Sequence, residues 1–309
     1  MNNKKRKTRG RDIDGILLLD KPAGITSNDA LQIVKRMFNA SKAGHTGSLD
    51  KPATGMLPLC FGEATKFTSY LLNADKHYRA QCHLGVMTTT GDADGEVTLT
   101  RPVPENLSAA DVNEVLKDFT GVISQVPPMH SALKHKGQRL YTLAYQGIEV
   151  ERQPREVTIY SIRLTDFAVD RFGIEVHCSK GTYIRTLVED IGKQLGCGAH
   201  ITGLQRTAVG PFVSGMIGLD ELARLSEQGV GALDACLQPI DSVIQDLPEM
   251  TLTSSVARYL IQGQPVIIPH APTGGMLRIY DENRRFLGVA EVLDDGRIAP
   301  RRLVNTSVD

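Results

Sequence analysis

Apolar residues recur along this chain at two spacings, and each spacing predicts a kind of element. Ile16 to Leu19 make a short continuous apolar run, read as a strand, and "KPAG" turns the chain after it. Ser27 or Asn28 then offers a cap for a helix with Ala30, Val34, Met37 and Phe38 at helical spacing. In "HYRAQCHLG", Tyr78, Ala80, Cys82 and Leu84 alternate with Arg79, Gln81 and His83, the period of a half-buried strand. "SAADVNEVLKDFTG" carries Val112, Val115, Leu116 and Phe119 on one helical face, with Ser108 as cap and Gly121 as stop. Further on, "GIEVHCSKG" reads as a strand that breaks at Gly181. A helix follows it, capped by Thr182, striped by Ile184, Leu187, Val188, Ile191 and Leu195, and ended by Gly196.

Two regions depart from this regular alternation. Between Ser124 and Arg155 the chain turns basic and polar after "PP", which reads as an insertion packing a short helix of its own over about Arg139 to Tyr145. From Asp241 to Thr251 the chain reads as a linker. Beyond it a helix near Ser254 to Gln262 precedes short strands in "PVIIP", "MLRIYD", "RFLGVAEVLDDG" and "RIAPRRLV", the pattern of a small β-barrel-like domain.

Composition narrows the class. With 309 residues, 35 basic and 35 acidic side chains, and no apolar run of membrane-spanning length, the chain reads as an ordinary cytoplasmic protein with no membrane partner. Five scattered cysteines fit reduced thiols, and "HC" at His177 and Cys178 or "CGAH" at Cys197 and His200 lacks paired zinc spacing, so no metal is expected. "TTTGDADGEV" is rejected as a calcium loop because no glutamate closes it. Basic clusters in the N-terminal arm (residues 1–11), in "KHKGQR" and in the arginine pairs 284–285 and 301–302 permit a polyanionic partner despite the balanced charge.

One loop and one helix start hold the candidate chemistry. "GHTGSLDKPATG" surrounds Asp50 with Gly44, Gly47, Pro52 and Gly55, residues suited to tight turns and close backbone approach. Asp50 is either a turn-making side chain or a working acid. Arg185 falls in the first turn of its helix, where the helix dipole disfavours a cation by ~0.3–1 kcal/mol. Solvent, Glu189 and Asp190 could compensate it. So could Asp50, gripped by two parallel hydrogen bonds that lower its pKa and keep it ionised.

Taken together, "GHTGSLDKPATGMLPLCFGEATK", "YRAQCHLG", "TTTGDADG", "CSKGTYIRTLVEDIGKQLGCGAH" and "LQRTAVGPF" resemble the TruB-type tRNA pseudouridine-55 synthases, in order and from about Ile13 onward. The resemblance implies an α+β fold: a mixed β-sheet catalytic domain over residues 12–245, an inserted thumb at about 124–155, and a PUA-like RNA-binding β-barrel domain over 250–309. It implies isomerisation of a T-loop uridine without cofactor or metal: the base leaves its ribose, turns, and rejoins through carbon. Asp50 matches the family's catalytic aspartate and Arg185 the arginine that pairs with it. Tyr78 matches a tyrosine that stacks on the flipped base and assists a proton's departure, and His45 a histidine that fills the gap in the T loop. Tyr183 and Leu204 match the positions that complete the family's uracil pocket, and Lys21 matches a lysine near the site or beneath its loop.

The sequence also departs from the family pattern. Lys51 and Pro52 follow Asp50 where the family has proline then leucine, His130 stands for a tyrosine, and Tyr145 for an arginine. The expected partner is the T arm and elbow of tRNA, bound by a monomer with no protein partner. A catalytically silent tRNA-binding or tRNA-folding protein is the alternative, and a glycosidase would need a second acid near Asp50 that the motif does not supply.

Overall fold

The computed structural model describes residues 10–305, so most of the basic N-terminal arm lies outside the described residues. Among these, the central mixed sheet runs in the order Ile217–Gly218, Gly15–Lys21, Thr54–Phe61, Ala199–Val209, Lys76–Leu84, Arg171–Cys178, Arg155–Ala168, Gly121–Gln125, with Ala43–His45 also paired to Thr54–Phe61. The predicted alternation in Lys76–Leu84 is realised. Ala80, Cys82 and Leu84 enter a core against the helices Ala109–Asp118 and Ile184–Gln194, whereas Arg79 and Gln81 face water. A second core packs Leu17, Leu19 and Leu57 against Ala30, Leu31 and Val34 of the helix Ser27–Met37.

Two helix caps differ from those expected. Thr26, not Ser27 or Asn28, caps the first helix, because Thr26 and Asp29 close a reciprocal capping box and free Ser27 for another contact. Tyr183 occupies the cap position before Ile184 without a side-chain bond, while the Thr182 hydroxyl donates back to Ser179 O at 2.9 Å. The missing side-chain cap leaves Arg185 at a helix start without local help.

The thumb rises from the sheet itself. Gly121–Gln125 and Arg155–Ala168 pair antiparallel, Gln125 opposite Arg155, so the excursion between them stands on a strand pair. It carries a hairpin of Lys134–His135 with Gln138–Arg139, then the helix Leu140–Tyr145, one residue shorter than expected.

The stretch expected to be a linker is structured. Ile240–Ile244 form a short 3-10 helix with Val243 and Ile244 buried, and Glu249–Leu252 is a strand. That strand pairs parallel with Gly275–Asp281, followed antiparallel by Phe286–Val292 and Ile298–Leu303. The sheet is open, and "PVIIP" gives one bridge, Val266 to Ile298, instead of a strand. Pro265 and Pro269 flank that bridge and cannot donate to a ladder. The C-terminal sheet is docked firmly: Val289 and Val304 share a core with Ile16, Met56 and Phe67, and the Tyr280 hydroxyl donates to Asp241 at 2.5 Å.

Glycine is required at one end of the loop around Asp50 and not at the other. Gly55 has φ +96° and a Cβ there would lie 2.3 Å from Arg206 O, whereas Gly44 sits in a strand with open space around it. Gly55→Ala should therefore cost more than about 1 kcal/mol of stability, and Gly44→Ala should stay within about 0.5 kcal/mol, as read from urea midpoints. Equal midpoints for the two variants would contradict this account.

Candidate active site

The loop that presents Asp50 is tied down from beneath. The Ser27 hydroxyl released by the Thr26 cap accepts from Leu49 N at 2.8 Å and donates to Leu49 O at 3.1 Å. Lys21 is fully buried, and its ammonium donates to Pro22 O and Ile25 O at 2.8 Å and to Lys51 O at 3.3 Å. Burial pushes the Lys21 pKa down to about 8, with Asp50 acting in the opposite direction. Ala53 N donates to Asp50 O at 3.1 Å and closes a turn whose central residues are Lys51 and Pro52. Proline restricts Lys51 to extended geometry, and Gly24 N and Lys21 hold its carbonyl there.

Arg206, unremarked in the sequence beyond its motif, braces the other side. It is 2% exposed, donating to Met56 O at 2.7 Å and Gly47 O at 3.2 Å. A charged residue inside the apolar alternation of "ITGLQRTAV" was the available signal.

Arg185 brings the separate segments together. Its Nε lies 3.0 Å from Asp50 Oδ2, Nη1 donates to Thr90 O at 2.7 Å, and Nη2 donates to His130 O at 2.8 Å. Asp92 Oδ2 stands 3.8 Å from Nη1, a second carboxylate that the rejected calcium motif concealed. The expected two-pronged grip on Asp50 is replaced by one contact, because both terminal nitrogens serve carbonyls. Asp190 pairs with Lys193, and Glu189 makes no ion pair with Arg185 but feels its charge, which works against the rise that burial gives the Glu189 pKa.

Exposure divides the pair by task. The Arg185 side chain is 7% exposed and that of Asp50 46%, so the cation is fixed and the acid faces the cleft. The pKa of Asp50 is raised, contrary to the expected lowering: desolvation in the cleft pushes it up, Arg185 pulls it down, and Asp92 pushes it up again. Arg185 holds the carboxylate in place and offsets only part of its desolvation, so the net shift stays upward.

The cleft above Asp50 encloses about 310 Å³ and is walled by Tyr78, His130, Tyr183, Arg185 and Leu204. Burial raises the pKa of both tyrosines, keeping the phenols protonated. Gln125 clamps the peptide of Tyr183, donating to its carbonyl at 3.2 Å and accepting from its N–H at 3.0 Å. His45 and Lys21 do not line this cavity. His45 ends the strand Ala43–His45 with Nδ1 buried and no hydrogen-bond partner among the described residues, and burial, then Arg206 and Arg139, lowers its pKa. Among the described residues no cluster of His, Cys, Asp and Glu has the arrangement of a metal site, and no helix is long and apolar enough to cross a membrane.

The structure thus combines a mixed sheet, an inserted arm and one open carboxylate beside a buried arginine. The same fold occurs in the Cbf5–Nop10–Gar1 complex (TM-score 0.72, 25% identity, 94% of this chain and 84% of that chain). It recurs in an H/ACA RNP bound to a substrate RNA containing 2′-deoxyuridine (TM-score 0.72, 22% identity, 100% and 93%). The family model for the N-terminal domain of TruB family pseudouridylate synthases matches residues 35–184. Two TruB C-terminal models match residues 185–245 and 248–304. The tRNA pseudouridine synthase B of Nitrosococcus oceani is 56% identical, over 97% of this chain and 98% of its own, and that of Coxiella burnetii strain Dugway 52%, over 95% and 96%. This chain belongs to the TruB family.

The opposing influences on Asp50 can be separated by titration. Its carboxyl ¹³C resonance should report a pKa above the ordinary aspartate value, and Arg185→Gln should raise it further by removing the cation that favours the charged form. A midpoint below the ordinary value, or one unmoved by Arg185→Gln, would contradict the assignment.

Proposed function

We propose that this enzyme isomerises the uridine at position 55 in the T loop of tRNA to pseudouridine, with Asp50 as its catalytic carboxylate. The observation that carries the reading is the solvent-open Asp50 held 3.0 Å from buried Arg185 at the wall of a cleft. Relatives named tRNA pseudouridine synthase B, matched over almost the whole chain, support the substrate.

The chemistry follows from charge. Breaking the bond between uracil and ribose develops positive charge on the sugar, which a fixed carboxylate beside it stabilises. The uracil then turns within the cleft and rejoins through a ring carbon, which gives up its proton. The ring nitrogen freed from the sugar takes up a proton in exchange, so the isomerisation balances without water, oxidant or reductant.

Tyr78 stacks on the flipped uracil and assists that proton's departure, Tyr183 and Leu204 complete the base pocket, and His45 fills the space the nucleotide leaves. Lys21 acts from beneath, through the loop. Extracting the nucleotide costs a few kcal/mol, roughly, which contacts elsewhere on the RNA must offset. We assign those contacts to the thumb at about 124–155, inserted in the catalytic domain of 12–245, and to a PUA-like domain at 250–309. The enzyme works on tRNA in the cytoplasm.

With an unmodified tRNA transcript, Asp50→Asn should lower single-turnover pseudouridine formation by more than about a thousandfold while tRNA affinity stays within a few-fold. Appreciable turnover by this variant would remove Asp50 from the mechanism. Arg185→Ala should lose turnover with RNA still bound, and a near-normal rate would separate the arginine from the chemistry. Affinity of the wild-type enzyme should fall with added salt as counterions are released, and a flat response would contradict binding to the phosphate backbone.

A further inference from the structure

The thumb presents an aromatic edge that the chemistry at Asp50 does not use. Leu140 and Leu143 are buried, and Leu140 N and Tyr141 N donate to Leu133 O and Ser131 O, tying the helix Leu140–Tyr145 to the segment that follows His130. Tyr141 and Tyr145 are four residues apart and share a helical face, their ring centroids 6.5 Å apart at 70°. Tyr145 also meets the His130 ring edge-on, at 5.6 Å and 77°. His130 lines the cleft and gives its carbonyl to Arg185, so Tyr145 stands one ring away from the reacting nucleotide.

Tyr145 remains 81% exposed, a large apolar surface left in water beside a polar cleft. Cations lie along the same arm. The Arg139 guanidinium lies 5.8 Å from the Tyr141 ring centroid, and the adjoining hairpin carries Lys134 and Lys136. Open aromatic rings beside cations are the means by which proteins hold single-stranded nucleic acid, rings to the bases and cations to the phosphates.

We propose that the rim of Tyr145, Tyr141 and His130 is a second base-binding site, on which an unpaired nucleotide directly adjacent to the target uridine stacks against Tyr145. The site takes any base, because every base offers a π-face. It rests on the functional reading above, since only an RNA substrate in the cleft brings such a neighbour within reach. Tyr145 thereby adds affinity for an opened loop over a closed one, and acts on substrate binding rather than on the bond that breaks.

The test is a cycle between protein and RNA. Transcripts of the T arm are made intact, or with an abasic residue at each immediate neighbour of the target in turn, and their affinities for wild type, Tyr145→Ala and Tyr145→Phe are measured. Tyr145→Ala should weaken binding of intact RNA by about tenfold, the scale of one base stacked on an aromatic ring, and Tyr145→Phe should bind like wild type. With one of the two abasic transcripts, Tyr145→Ala should cost nothing further. An equal loss on all three transcripts, no loss on any, or a Phe variant as weak as Ala would overturn the stacking site. Pseudouridine formation by the wild-type enzyme on the intact transcript is assayed alongside. Its absence would count against the functional reading, whereas its presence with an uncoupled Tyr145 would sink only the second site.

Discussion

Everything at this site depends on an arginine placed where a helix does not want one. Arg185 sits in the first turn of Ile184–Gln194 with no side-chain cap ahead of it and almost no water around it. A buried cation in that position is tolerated only if other segments bring oxygen to it. Three do: the loop of Asp50, the turn of Thr90 and Asp92, and the root of the thumb at His130. The electrostatic need of one side chain thus gathers residues scattered over more than a hundred positions of sequence.

The same logic recurs around it with cations that form no ion pair among the described residues. Arg206 and Lys76 are nearly inaccessible, and each is satisfied by backbone carbonyls. Such a cation acts as a knot, gathering turns that have no hydrogen-bond ladder of their own. Lys21 does this for the loop of Asp50 and lies close enough to that acid to share its field. The geometry of the cleft therefore rests on buried charge bound to peptide groups as much as on apolar packing.

How much of this was legible in the sequence differs by residue. Period-two and helical spacings located the strand of Tyr78 and the helix of Arg185, since burial of one face is written into side-chain order. The helix-start anomaly even pointed to Asp50. What it could not give was the share of Arg185 taken by carbonyls, because Thr90 O and His130 O are backbone atoms and any residue supplies them. Asp92 was hidden for a related reason: its motif was weighed only against calcium, and its role depends on a partner 93 positions away. The caps shifted by one residue because Thr26 and Ser27 are both good candidates, and only the reciprocal bond with Asp29 chooses between them. The C-terminal linker concealed a strand because its partner, Gly275–Asp281, lies beyond an intervening helix.

Gln125 gives the thumb a consequence of its own. It is the last residue of the strand that leads into the arm, and its side chain grips the peptide of Tyr183 from both sides. The arm's footing and the wall of the cleft are therefore joined at one point. Any swing of the arm that keeps these two bonds must pivot beyond Gln125, so that the jaw can travel while the anvil stays still.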